Sequence, residues 1–137
     1  MTTIKEDYVS FEIAKLLKEK GFDGFCERFY DYYPETGEVH ICGCDEHNNS
    51  RYDDEFSMPT LQMAMKWLRI EHNIHIEPHI VKTKYSYGYL PNYIDLKELK
   101  QHFPFDEFDF SNADKYACIT YDKACEVTIK YCLEKLI

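Results

Sequence analysis

The sequence predicts an α+β fold in the order α-β-β-α-β-β-(α)-β-α: an antiparallel sheet of about four or five strands with three main helices packed on it. Three observations carry that expectation. Apolar residues recur at helical spacing near the start, middle and end of the chain. Aromatic and β-branched residues cluster in pairs of short runs between them, and Pro34-Glu35-Thr36-Gly37 supplies a turn that joins the first pair. At 137 residues, of which 45% are hydrophobic, the chain is expected to form a single α+β domain over 1–137.

The first helix is expected over Ser10 to Lys20. Ser10 can cap the free N–H groups of the first turn and Gly21 can adopt the left-handed backbone that ends a helix. Val9, Ile13, Leu16 and Leu17 form its apolar stripe. Cys26 to Tyr33 and Glu38 to Cys42 then read as a β-hairpin around the Pro34–Gly37 turn. Asp45 to Phe56 is polar and acidic and reads as a mobile surface loop.

The second helix is expected from near Pro59, which a first turn tolerates, to His72, ending at Asn73. It carries two apolar stripes: Leu61, Ala64, Met65 and Leu68 on one side, Met63, Trp67 and Ile70 almost opposite. One sheet cannot cover both, so Met63, Trp67 and Ile70 are candidates for an interface. Ile74, Ile76 and Ile80 are expected on one strand face and Tyr85, Tyr87 and Tyr89 on the next, joined around Lys82 to Lys84 as a second hairpin. Asp95 to Lys100 reads as a short helix. The run FPFDEFDF, Phe103 to Phe110, argues against a central strand. Tyr116 to Ile119 reads as a strand, Thr120 as an N-cap, and Tyr121 to Leu136 as a helix whose Cys125, Ile129, Cys132, Leu133 and Leu136 form a core-facing stripe. Hairpin followed by helix occurs twice, a faint internal repeat.

Sixteen Lys and Arg against 25 Asp and Glu leave a net charge of −9, which disfavours direct binding to a nucleic-acid backbone. Met1 to Tyr8 is polar and charged and lacks an export signal's apolar stretch. The run Leu61 to Ile70 is interrupted by Gln62, Lys66 and Arg69 and is too short to span a bilayer. A cytoplasmic protein without membrane association is expected, with its six cysteines reduced.

The blocks PTLQMAMKWLRIEHNIHI, YDKACEVTIKYCLEKLI and VSFEIAKLLKEKGFD resemble a group of small uncharacterised proteins from gut anaerobes and their prophages or mobile elements. The resemblance covers under half of the chain. It implies an accessory protein of bacterial or phage origin and transfers no catalytic residue.

Four soft-metal ligands fall within eight positions: His40, Cys42, Cys44 and His47. Zinc accepts such donors, but Cys-x-Cys is tighter than the usual spacing, and a regular strand spreads its residues along one face. Gly43 would have to break the strand for the thiolates to converge, so no metal is assigned and half-buried thiols are the expectation. His72, His75, Glu77 and His79 fail likewise, because Pro78 and the alternating isoleucines favour a strand, where residues four apart cannot share an ion. Cys118, Cys125 and Cys132 read as core residues, since a catalytic thiol needs a base beside it.

The five glycines form no phosphate-cradling pattern, and no Gly-x-Ser-x-Gly elbow occurs. Acidic runs such as Asp53-Asp54-Glu55 and Asp106-Glu107 read as solvated surface. The twelve tyrosines suit a protein interface better than a base-stacking platform, which needs a positive groove. The expected function is therefore non-enzymatic: an accessory or regulatory protein that needs no cofactor and binds another protein or a second copy of itself. The alternatives are an enzyme with an unrecognised pocket, or an acidic nucleic-acid mimic that blocks a DNA-binding or defence protein.

Overall fold

The computed structural model describes residues 4–105 and 108–137, so Asp106 and Glu107 of the expected acidic loop lie outside the described residues. The fold is α+β, with all strand pairs antiparallel. Two compact units divide the chain, Met1–Ala64 and Met65–Ile137.

The first unit opens with α1 (Phe11–Glu19). Ser10 Oγ accepts the Ile13 N–H at 3.3 Å and caps the helix, while Gly21 at φ +94° ends it as its sequence position suggests. Val9, Ile13, Ala14 and Leu17 are buried, and Leu16 is only half-buried. A three-stranded sheet follows in the order β2-β1-β3, with β1 at Cys26–Tyr33, β2 at Glu38–Glu46 and β3 at Glu55–Ser57. The hairpin turns at Gly37, whose φ of +74° suits glycine. Phe11 fixes α1 on the sheet, its ring 5.6 Å from Tyr30, 5.7 Å from Tyr32 and 5.6 Å from Phe56. The Tyr30 hydroxyl donates to the Val9 carbonyl in the same layer.

The segment expected to be a mobile loop is instead tied down. Asn48, 1% exposed at the start of a 3-10 turn, donates to the Phe22 carbonyl at 2.8 Å and accepts the Ser57 N–H at 2.9 Å. Arg51 is 8% exposed, and its guanidinium donates to Ser57 Oγ at 2.8 Å and to the carbonyls of Cys26 and Cys44 at 3.0 Å each. Lys18 Nζ, reaching from α1, donates to the Tyr52 and Glu55 carbonyls. The polar composition reflects side chains that satisfy buried backbone groups, which an apolar residue cannot do.

The division between units falls within α2 (Leu61–His72). Pro59 precedes this helix rather than joining its first turn: its carbonyl accepts the Val9 N–H, and Thr60 Oγ1 caps the helix by accepting the Met63 N–H at 3.1 Å. Asn73 at φ +58° terminates α2 where the sequence placed its end.

In the second unit a single large sheet is not formed. β4 (Ile74–Ile76), β7 (Tyr93–Asp95) and β8 (Lys100–His102) make a three-stranded sheet in the order β4-β7-β8, and β5 (His79–Lys82) pairs with β6 (Tyr87–Leu90) as a separate hairpin. Pro78 causes the split. It has no N–H for a ladder, and Asn92 takes up the backbone of the preceding Glu77 instead, donating Nδ2 to its carbonyl at 2.7 Å and accepting its N–H at the Asn92 carbonyl. Ile74 and Ile76 are consequently buried, while Ile80 is 64% exposed and shares no face with them. The second hairpin is present, but Tyr85 sits in its turn and only Tyr87 and Tyr89 lie on the strand.

Asp95 to Lys100 is a hairpin turn, not a helix. Asp95 Oδ1 accepts the N–H groups of Lys97 and Glu98, and Leu99 takes φ +57° while donating to the Asp95 carbonyl. No strand forms over Tyr116 to Ile119 either. Ala113–Tyr116 is a short helix, α3, and Cys118 makes one isolated bridge to Tyr89. Gly88 allows that approach, since a Cβ there would lie 3.0 Å from both the Ala117 Cβ and the Cys118 carbonyl. Phe105 stacks on Tyr116 at 4.3 Å and Phe103 lies 4.4 Å from Phe108, so this acidic-aromatic segment contributes a ring cluster rather than a strand.

The final helix, α4 (Tyr121–Lys135), buries Ala124, Cys125, Thr128, Ile129, Cys132 and Leu133, while Leu136 lies past its end and is exposed. Thr120 Oγ1 accepts the Lys123 N–H at 3.1 Å as the N-cap. Thr120→Ala is expected to cost about 1 kcal/mol in a urea titration, and Thr120→Asp much less, because an aspartate restores the acceptor.

Candidate protein-binding site

His40, Cys42 and Cys44 lie on β2 and His47 just beyond it. His40 Nε2 lies 3.2 Å from Glu38 and its ring packs on Tyr33 at 5.0 Å. Tyr33 in turn donates to Asp31, which holds its phenol above the ordinary range. Cys42 stands opposite Phe29 and is half-buried, and Cys44 is exposed. His47 points elsewhere, with Nδ1 2.8 Å from the Asp23 carbonyl and its ring against Phe25 at 5.3 Å. Among the described residues, no three His, Cys, Asp or Glu side chains gather as a metal site. His75 pairs with Glu77 at 3.6 Å, His79 faces Phe103 at 6.4 Å, and His72 stacks edgewise on Trp67 at 4.7 Å.

The second stripe of α2 divides in its surroundings. Leu61, Ala64, Met65 and Leu68 are buried as the longer stripe should be. Opposite them, Ile70 is 61% exposed, Met63 is 36% exposed and Trp67 is half-buried with His72 beside it.

Met63 belongs to a groove within the first unit. An extended segment forms one wall: Tyr8 bridges Thr60, and Asp7 accepts the Leu61 N–H at its carbonyl, which brings Glu6 and Tyr8 beside the start of α2. Phe25, Cys26 and Glu27, where β1 begins, form the second wall. Met58 anchors the floor, its N–H donating to the Arg28 carbonyl at 2.9 Å. Thr60, Gln62 and Met63 complete the lining, and the half-open groove has a volume of about 470 Å³, within the range of small-molecule pockets.

Two thioethers and two aromatic rings supply the groove's apolar surface, with Phe25 left 53% exposed. Glu6 and Glu27 are its charged lining residues, and both are exposed. Arg28 lies beside the groove with its guanidinium 5.0 Å from the Tyr8 ring, which holds that ring by a cation–π contact. Cys26 is buried and its thiol is pushed up to about 11, chiefly by burial and against the pull of Arg51. It stays protonated at neutral pH, and no histidine lines the groove to activate it. The groove is thus suited to binding rather than to nucleophilic chemistry.

Sequence reasoning singled out Met63 from its surplus position on α2. It missed Tyr8, Phe25 and Met58, which converge from three separate segments. The available signal was weak: apolar residues standing just outside predicted elements. No protein-family model, no curated protein and no solved structure matches this chain. No helix among the described residues is long and apolar enough to cross a membrane.

Proposed function

We propose that the protein is a non-enzymatic accessory or regulatory protein that binds another protein, and that the groove around Met58 and Met63 receives a segment of that partner. The groove itself carries this reading: apolar, adaptable thioethers and rings beside exposed carboxylates. Methionine surfaces re-pack around varied apolar anchors. With Glu6 and Glu27 as the charged lining residues and a net charge of −9 overall, charge complementarity favours a partner segment with an apolar anchor flanked by Lys or Arg.

A fluorescein-labelled peptide of alternating Leu and Lys serves as probe. Its affinity, measured by fluorescence anisotropy, is expected to fall at least about tenfold, or 1.4 kcal/mol, in Met63→Lys. Asp53→Lys, on an exposed acidic turn of the same unit, should weaken it far less. Methyl NMR of labelled methionine should show Met58 and Met63 shifting on titration. Equal losses in the two variants, or unmoved methyl signals, would mean that the peptide senses only the overall charge.

A further inference from the structure

The six thiols differ in accessibility. Cys26, Cys125 and Cys132 are buried and Cys118 is half-buried, and burial pushes all four thiols up. Cys44 is the exposed thiol, and Cys42, half-buried like Cys118, stands two residues before it on a strand at the edge of its sheet. They flank Gly43.

The strand continues through this place and becomes irregular just past it. β1 and β2 pair Arg28 with Gly43 but Cys26 with Glu46, so that Cys44 and Asp45 together oppose the single residue Glu27. That is a β-bulge, and it lies next to the glycine. Two steps of regular strand place Cα atoms about 6.6 Å apart, already at the upper end of the about 4.4–6.8 Å that disulfides span. A disulfide needs the Cβ atoms within about 3.5–4.5 Å, so closure requires the backbone to contract about Gly43. The space around Gly43 is open, since an added Cβ there would meet no atom nearer than the Glu27 carbonyl at 3.9 Å. The backbone partner of β2 lies on one side only, so the contraction disturbs one ladder together with the Arg51 bond to the Cys44 carbonyl.

We infer that Cys42-Gly43-Cys44 is a thiol–disulfide exchange site that reacts with low-molecular-weight disulfides of the glutathione type. Cys44, the more exposed, loses its proton and attacks one sulfur of the oxidised small molecule. A mixed disulfide forms and one small thiolate departs, taking up a proton. Cys42, set against Phe29, then attacks the Cys44 sulfur as its thiolate and releases the second small thiol. The two protein thiols are oxidised to one intrachain disulfide, and one small disulfide is reduced to two thiols. The site is independent of the groove, and its chemistry neither requires nor excludes the binding role.

Trypsin provides a direct readout, because Arg28 and Arg51 bound a fragment, residues 29–51, that holds Cys42 and Cys44 and no other cysteine. After incubation of the whole protein with oxidised glutathione, acid quench and alkylation, mass spectrometry should find this fragment unalkylated and two hydrogens lighter, and dithiothreitol should reverse the change. Cys42→Ser should instead trap glutathione on Cys44. Gly43→Val, which stiffens the strand, should slow ring closure at least tenfold and let the mixed disulfide accumulate. Stable glutathione adducts in the wild type without ring closure, alkylation of both thiols as in untreated protein, or a disulfide that pairs either residue with another cysteine would each overturn the assignment.

Discussion

Arg51→Ala is expected to lower the unfolding free energy by about 3–4 kcal/mol, read from urea titrations followed by circular dichroism. The residue is charged yet 8% exposed, and no carboxylate accompanies its hydrogen bonds to Ser57, Cys26 and Cys44. Its role is to satisfy backbone carbonyls that the β2 bulge and the start of β1 leave without ladder partners. Alanine would remove several charge-assisted bonds at once and strand those carbonyls. The guanidinium also covers the Phe29 ring at 4.6 Å, so packing is lost with the bonds. Arg51→Lys should recover less than half of the deficit, because one ammonium cannot span acceptors that the planar fork reaches together. A loss below about 1 kcal/mol in the alanine variant would show that water replaces the guanidinium freely.

That residue also marks where sequence reasoning loses its hold. Ser10, Gly21, Gly37, Asn73 and Thr120 act on neighbours within a few positions, and each was legible because caps and turns are local chemistry. The α4 stripe was legible for the same reason, as a period of the helix itself. Arg51 acts on a carbonyl 25 positions away, and within a polar run nothing distinguishes a buried arginine from a solvated one. Asp95 to Lys100 misled through composition, since Leu96, Lys97, Glu98 and Leu99 are good helix formers. The Asp95 side chain bonds two backbone N–H groups of the turn instead, and the turn joins two strands.

The candidate site divides in the same manner. Met63 was visible as an apolar residue that the buried stripe of α2 leaves over, but a groove is a property of convergent segments. Phe25 and Met58 were each one apolar residue beside an element end. The metal candidates show the converse. Their spacing was suggestive, yet His40 and His47 are turned apart by Tyr33 on one side and by Asp23 and Phe25 on the other. The condition named from sequence, that Gly43 break the strand, is not met: β2 runs on through Gly43, which pairs with Arg28, and the bulge follows at Cys44 and Asp45.

Alkaline pH is expected to unfold the protein through the thiols of α4. Cys125 and Cys132 are 0% exposed, and burial pushes each from an ordinary value of 9.0 up to about 12. In the unfolded chain both ionise near their ordinary value, so above about pH 9 the unfolded state has given up protons that the folded state still holds. Their contribution is fully present below pH 9 and is lost progressively as the pH rises toward 12. Each thiol then subtracts about 1.4 kcal/mol per pH unit, so even two units would consume much of a typical domain's stability. Cys26, pushed up to about 11, and Tyr93, pushed up to about 12, act in the same direction. Urea titrations at stepped pH, with a phosphine reductant present, should give a slope that becomes shallower by about 1.4 kcal/mol per unit in Cys132→Ala. The slope isolates ionisation from packing, because the cavity left by alanine costs the same at every pH. An unaltered slope in Cys132→Ala would show that this thiol ionises as readily in the folded chain as in the unfolded one, and that its burial within the α4 core is not maintained in alkali.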